Sequence, residues 1–329
     1  MNLIINSFGA ILQKENNLLL IITEEGRQTF LPEKIKSISL GKSAKVSSDA
    51  IFLAIKHEID ILFVNDMGMP EGRVWSIQYG SISSIRRSQL NFIYSKKVIK
   101  WVKELITEKI NNQIALLLTY QPSKEDIKGH NIFKFAINSL NDYKNKITNA
   151  EAEVLSEIAP SLRGWEGQAG KKYFETLVYI MPDEFKYENR SRMPAKDIFN
   201  AMLNYAYGML YGKVEGALIK AGIDPYVGVF HRDEYNRPAM VYDYIEKFRL
   251  WMDYVVIQLC ITQSIQKDLF SYDDDTGACR LDTLSKRILI QSVNDYLSEI
   301  IEYAGNQRSR QTHLDLEAQK LAQFFQKNA

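Results

Sequence analysis

Between Gly72-Arg73-Val74-Trp75-Ser76-Ile77 and Ile99-Lys100-Trp101-Val102-Lys103 the hydrophobic period of the chain changes, and with it the fold class. Upstream, short β-branched or aliphatic runs at 3–5, 18–22, 35–40, 61–64 and 74–77 are separated by Asn16-Asn17, Glu25-Gly26, Gly41, Asp66 and Gly68. Such runs between turn formers predict strands. Ser47-Ser48-Asp49 supplies a cap for one helix over 50–57. Downstream, Ile99, Val102, Leu105 and Ile106, then Ile110, Ile114, Leu117 and Leu118, recur at helical spacing. They predict a helix over 88–120, ended by Gln121-Pro122-Ser123, and the helical style resumes over 131–158. The expected architecture is α+β: a small β-rich N-terminal domain over 1–85, then a larger all-α C-terminal domain over 86–329. Residues 86–103 form a basic connecting segment.

At 329 residues, 46 % hydrophobic and 25 % charged, the composition is that of an ordinary globular protein with room for two cores. No apolar run approaches the roughly 18 residues of a membrane span, and no signal-peptide pattern opens the chain, so neither membrane insertion nor secretion is expected. Cys260 and Cys279 have no metal-site spacing and fit a reducing, cytoplasmic setting. The net charge of +1 does not announce a nucleic-acid binder, so a DNA surface requires local segregation of charge. The connecting stretch provides it: from Gly72 to Lys103 there is no acidic residue, while Arg73, Arg86, Arg87, Lys96, Lys97, Lys100 and Lys103 are basic. Tyr79, Phe92, Tyr94 and Trp101 are interleaved. A phosphate-contacting surface and a solvated helix face both suit this pattern.

Two further stretches bear on chemistry. Asp224-Pro225 and Gly228 are turn formers, so His231 belongs to a short extended piece leaving a bend. From Pro238, Val241, Ile245, Phe248, Met252, Val255 and Leu259 mark one apolar face of a single helix over 238–259, with Asp243 and Glu246 on its polar side. Two such close carboxylates repel unless a cation, a proton or solvent intervenes, and a solvated face would satisfy them equally. In the helix expected over 197–220, every fourth residue from Asn200 reads Asn200, Asn204, Gly208, Gly212, Gly216. Glycine costs a helix about 1 kcal/mol against alanine, so the stripe predicts close approach of another backbone or a ligand. The two amides need partners if buried, and beneath a metal site they would support its ligands. Asp273-Asp274-Asp275, followed by Thr276-Gly277, is expected to be a solvated turn.

Three ordered motifs resemble the CRISPR-associated adaptation integrase family, the first of the two core proteins that insert spacers into CRISPR arrays. They are Gly164-Trp165-Glu166-Gly167-Gln168-Ala169 running to Tyr173-Phe174, Arg192 to Tyr205, and Ala221 to His231 leading to Asp243-Tyr244-Ile245-Glu246-Lys247-Phe248-Arg249. The resemblance spans nearly the whole chain. Leu250 departs from the family pattern, where proline is frequent, and Tyr242-Asp243-Tyr244 is bulkier than the usual aliphatic setting.

The resemblance implies a metal-dependent DNA integrase and endonuclease that joins the 3′-hydroxyl ends of short duplex DNA to the CRISPR repeat by transesterification. It implies Glu166, His231 and Glu246 as catalytic metal ligands, with Mg²⁺ or Mn²⁺ as the ion, since two carboxylates and an imidazole suit either. Helical phase alone does not choose between Asp243 and Glu246. The resemblance favours Glu246, and reach agrees, leaving Asp243 to orient a bound water or a DNA-contacting cation. Arg249 matches a basic position that could hold a phosphate, or pair with Glu246 one turn away. Tyr173 and Tyr205 line the cleft, stack on bases or pack in the core, and Lys96, Lys97 and Lys100 are candidate DNA contacts. Double-stranded DNA, a second copy of the chain joined through the small domain, and the ferredoxin-like second adaptation protein are the implied partners. A general metal-dependent nuclease or phosphodiesterase and a catalytically silent DNA-binding scaffold are the rival functions.

Overall fold

The computed structural model describes residues 1–66, 68–74, 83–231, 237–303 and 305–328. Its amino-terminal part contains β1 (Asn2–Ile5), β2 (Ile11–Glu15), β3 (Leu18–Thr23), β4 (Gly26–Phe30), β5 (Ser37–Leu40), β6 (Lys45–Val46), α1 (Ser48–Lys56), β7 (Asp60–Val64) and β8 (Pro70–Arg73). Among the described residues they form two sheets, ordered β4-β3-β2-β6 and β1-β5-β7-β8. Strands β2, β3 and β4 make an antiparallel meander, whereas β1, β5 and β7 run parallel. Asn16, at φ 54°, turns β2 into β3, a backbone region asparagine tolerates well. The Ser47 hydroxyl accepts from the Ala50 N–H and caps α1 as expected. Leu12, Leu19, Ile38, Ala50, Ala54 and Ile61 are buried together as one apolar cluster.

The strand expected over 35–40 is shortened because Pro32–Lys34 forms a 3-10 turn before it. Most of the strand expected over 74–77 lies outside the described residues, as does Tyr79.

The remainder is mostly helical: α2 (Ser83–Ile93), α3 (Lys97–Tyr120), α4 (Ile127–Asn149), α5 (Leu155–Leu177), α6 (Ile198–Lys220), α7 (Ala239–Ile245), α8 (Arg249–Ile261), β9 (Phe270–Tyr272), β10 (Cys279–Leu281), α9 (Thr283–Ser298), β11 (Ile300–Tyr303), β12 (Asn306–Ser309) and α10 (Arg310–Asn328). Strands β9–β10 and β11–β12 are short hairpins inside the expected helical region. The single helix expected over 88–120 is two, broken at Tyr94–Lys96, where the Ser95 hydroxyl donates to the Phe92 carbonyl at 2.8 Å. The break lets fully buried Phe92 meet Trp101 on one side and Phe324 and Phe325 of α10 on the other. The Asp273 carboxylate accepts from the Thr276 N–H and hydroxyl and from Arg280, the solvated turn anticipated.

Helix α6 is buried along most of its length and carries the glycine stripe against the amino-terminal sheet. A Cβ at Gly212 would lie 3.1 Å from Leu62 Cδ1, and one at Gly216 3.1 Å from Arg73 Nη1. The stripe therefore seats the helix on β7 and β8. Charge pairs close the same seam. Arg73 donates to the Gly212 carbonyl at 3.0 Å and pairs with Glu215 at 3.1 Å, and Lys220 pairs with Asp60 at 2.9 Å. Arg73, counted above among the basic residues of the connecting stretch, is thus internal. Beside it Lys213 donates to Ser37 Oγ at 2.9 Å, and Ser37 donates to Asn2 Oδ1, next to a cavity of about 30 Å³.

Candidate functional site

Three helices and one irregular segment converge on a buried charge cluster. Helix α3 brings Lys109, α5 brings Glu166, and the turn after α7 brings Glu246. The Lys109 ammonium lies 2.5 Å from Glu166 Oε1 and 2.7 Å from Glu246 Oε2. Glu246 is also paired through its other oxygen with Arg249 Nε, at 2.8 Å. Burial opposes ionisation of Glu246, but Arg249 and Lys109, with His231 beyond them, outweigh it and hold the carboxyl down to about 2. Burial likewise opposes the Lys109 charge, and Glu246 and Glu166 overcome it, so its pKa is raised.

The helix expected over 238–259 is broken: α7 ends at Ile245, residues 246–248 form a turn, and α8 starts at Arg249. Asp243, expected on the polar side of that helix, is instead fully buried. Its carboxylate is satisfied by four donors from one segment. The Val229 and Phe230 N–H groups donate to Oδ2 at 2.6 and 3.0 Å, and the His231 N–H and Nδ1 both approach Oδ1 at 2.8 Å. Four donors compensate the loss of hydration that burial imposes on a carboxylate.

His231 itself lies in a bend, outside any helix, with its side chain 39 % exposed. With Nδ1–H assigned as the donor to Asp243, Nε2 is the ring nitrogen left to accept. Burial lowers the affinity of this imidazole for a proton, while Asp243, then Glu166 and Glu246, raise it, and the net shift is upward.

Two side chains anchor this segment from outside. Gln89 of α2 donates to the Asp224 and Val227 carbonyls at 2.9 and 2.8 Å and accepts from the Asp224 N–H at 2.9 Å. Arg163, one turn before Glu166, donates to the Phe230 carbonyl at 3.4 Å. A Cβ on Gly228 would fall 2.5 Å from that of Ala239 and 2.6 Å from the His231 carbonyl, so only glycine lets the segment close onto α7.

Of the three ligands the resemblance implied, Glu166 and Glu246 therefore meet at one cation, while His231 stands at the rim, tied to Asp243. Among the described residues no three His, Cys, Asp or Glu side chains are close enough to hold a metal ion together.

Comparison with known proteins identifies the setting. The sequence profile of the family described as CRISPR associated protein Cas1 matches residues 3–295. The chain belongs to the Cas1 family. Its relatives include the CRISPR-associated endonuclease Cas1 1 of Archaeoglobus fulgidus, 29 % identical, the match covering 99 % of this chain and 96 % of the relative. The fold matches a casposase bound to integration product at a TM-score of 0.83 and 21 % identity, over 100 % of this chain and 91 % of that one. It also matches a Cas6-RT-Cas1–Cas2 complex at 0.81 and 20 % identity, over 99 % of this chain and 35 % of the other.

The remaining candidate residues fall into place in this Cas1 chain. Tyr173 is fully buried and donates to Asp253 Oδ2 at 2.9 Å, so it packs in the core rather than lining a cleft. Tyr205 is buried too, its ring facing Gly68 at the seam between the two parts. Asn200 and Asn204 do not lie beneath the ligands. They accept from Arg190 at 2.6 Å each and hold the backbone of 189–192. Their link to the site is indirect: Arg190 faces the Tyr207 ring, and Arg249 lies over the same ring at 4.6 Å.

Lys96, Lys97 and Lys100 are exposed at the start of α3. At 1.5 Å rise per residue, Lys97 is about 18 Å from Lys109 along the helix, and Lys100 faces roughly the opposite side. Lys103 donates to the Ala150 carbonyl at 2.9 Å. Lys109, Arg163 and Gln89 escaped sequence reasoning. Lys109 and Gln89 stand in helical runs with no motif around them, and Arg163 stood inside the Glu166 segment with no signal of its own.

Proposed function

We propose that this Cas1 chain is a metal-dependent DNA endonuclease and integrase of CRISPR spacer acquisition, joining 3′-hydroxyl ends of short duplex DNA to the CRISPR repeat by phosphodiester transesterification. The single observation that carries the reading is the meeting of Glu166 and Glu246, from separate elements, at one cationic group. A donor set of two buried carboxylates that already surrounds a positive charge suits Mg²⁺ or Mn²⁺, and an imidazole at its rim favours tolerance of Mn²⁺. Glu166, Glu246 and His231 Nε2 would hold the ion. A bound divalent ion supplies neutralisation of charge on the phosphate oxygens and activation of the attacking hydroxyl.

The chain's own groups perform the rest. Asp243 keeps Nδ1 of His231 engaged, fixing the ring and leaving Nε2 outward, as a carboxylate partner does for a ligating histidine. Arg249 holds Glu246 ionised and oriented. The nucleophile belongs to the DNA end, so no serine or cysteine is required at the cluster. The exposed lysines at the start of α3 lie far enough from the cluster to grip duplex away from the reacting phosphate.

Partners follow from the same reading. A second copy would pair through the amino-terminal part, where Phe8, Leu31 and Phe52 are exposed. The ferredoxin-like second adaptation protein is the proposed partner of that dimer, supported by the fold match to a Cas1–Cas2 complex.

The test incubates the chain and that partner with a repeat plasmid, a short 3′-hydroxyl duplex and Mn²⁺, and scores covalent joining. Joining by the wild-type chain that Glu166→Gln removes is the expected result. Hydrolysis of DNA lacking a repeat, with no joined product, would replace integrase with a general nuclease. Undiminished joining by Glu166→Gln would overturn the site.

A further inference from the structure

Lys109 has no part in the resemblance, yet it occupies the centre of the cluster. We infer that the Lys109 ammonium is a tethered counter-ion standing in the divalent-ion position, so that docking of Lys109 and binding of the ion exclude one another. The inference rests on the reading of Glu166 and Glu246 as ion-holding carboxylates.

The geometry leaves little room for both. The ammonium is within 2.5 and 2.7 Å of one oxygen from each carboxylate. A divalent ion held by both Glu166 and Glu246 would need the space between them that the ammonium fills. Two positive charges about 4 Å apart away from bulk water repel strongly, so sharing is not an alternative. Arg249 already supplies one cation to Glu246, and its charge acts on Lys109 as well.

The arrangement has a structural purpose in the ion-free chain. Glu166 and Glu246 are largely buried and come from different elements, and without a cation between them their repulsion would splay α5 from the turn after α7. A lysine can fill this role reversibly. Its four-carbon stem carries a point charge that swings aside when a stronger cation arrives, where a planar guanidinium fork would be harder to dislodge.

The prediction is read in the absence of DNA, on the full chain, by titrating Mn²⁺ and following free Mn²⁺ by electron paramagnetic resonance. Lys109→Met and Lys109→Gln should bind Mn²⁺ at least about tenfold tighter than wild type, because the ion no longer displaces a resident charge. Lys124→Gln, which removes an exposed charge remote from the cluster, should bind as wild type does. The ion-free Lys109 variants should also melt at lower temperature than wild type and gain more from saturating Mn²⁺. Lys109→Gln retains a neutral donor for Glu166 and is the milder change, so it reports affinity if Lys109→Met folds poorly. Equal or weaker Mn²⁺ binding by both variants overturns the inference and leaves the metal reading standing. Failure of wild type and variants alike to bind Mn²⁺ overturns the metal reading and this inference with it.

Discussion

Two charge clusters can be set side by side. In the seam between the amino-terminal sheet and α6, Arg73, Lys220 and Lys213 face Asp60 and Glu215. At the candidate site, Lys109 and Arg249 face Glu166 and Glu246. Both enclose carboxylates among cations, but the balance differs. Burial pushes Glu215 up even though Arg73 pulls against it, whereas at Glu246 the cations defeat burial and hold the carboxyl near 2. The seam is charge enclosed by packing. The site is charge held ionised beside a partly exposed histidine. Burial of charge alone does not mark a functional site; a carboxylate kept anionic next to an accessible imidazole is the more telling combination.

The largest contrast comes from the glutamates themselves. Glu246→Gln should remove Mn²⁺-dependent joining, at least about a thousandfold, if electrostatic stabilisation is the main catalytic term. Glu215→Gln should leave joining within a few fold and act through stability only, because its partner Arg73 closes the seam. Joining rates and melting temperatures of the two variants, measured together, break the comparison if they respond alike.

Asp243→Asn gives the next effect. An amide cannot accept on both sides, so at least one of the donors at Val229, Phe230 and His231 must face an NH₂ group. Activity should fall about 10- to 100-fold, recovering in part at raised Mn²⁺, with a loss of stability of about 2 kcal/mol. Urea titration beside an Mn²⁺ titration checks both, and a dead enzyme of wild-type stability would make Asp243 a ligand.

The smallest effect probes the seam by pH. Burial pulls Lys213 down to about 8, against the upward pull of Asp60 and Asp315, with Lys220 and Lys36 adding to the fall. The unfolded chain then binds more protons than the folded one between about pH 8 and the ordinary lysine value, so stability rises with pH across that window. Below pH 8 the full penalty is present. Lys213→Met should therefore be more stable than wild type at pH 7, by about 2 kcal/mol once solvent in the adjacent cavity is allowed for. The difference should shrink towards pH 10.5, and denaturant midpoints over pH 7–10.5 that run parallel would contradict it.

The legibility of the sequence follows the same physics. Strands β1, β3 and β7 were found because both faces of these segments are largely apolar, while β2 and β4 were missed because their Gln, Lys, Arg and Thr side chains face solvent. The helix ends near 120 and 220 were legible from breakers and caps. The breaks at Tyr94–Lys96 and at 246–248 were not, since apolar periodicity carries across both. Glu166, His231 and Glu246 were named by motif, and two of them meet at one point. Lys109 was invisible because an isolated lysine in an amphipathic helix looks like any solvated charge. Asp243 was misplaced because its four donors come from a segment twelve to fourteen residues away, beyond the reach of helical phase.

That segment has no regular secondary structure, yet Asp243 gives three consecutive residues what a neighbouring strand gives in a sheet: a fixed acceptor for each N–H group. One carboxylate acts as a template, and residues 229–231 copy its shape. The histidine position is consequently set by the register of α7 rather than by the loop's own length. The imidazole therefore keeps its position as long as Asp243 keeps its place on the helix.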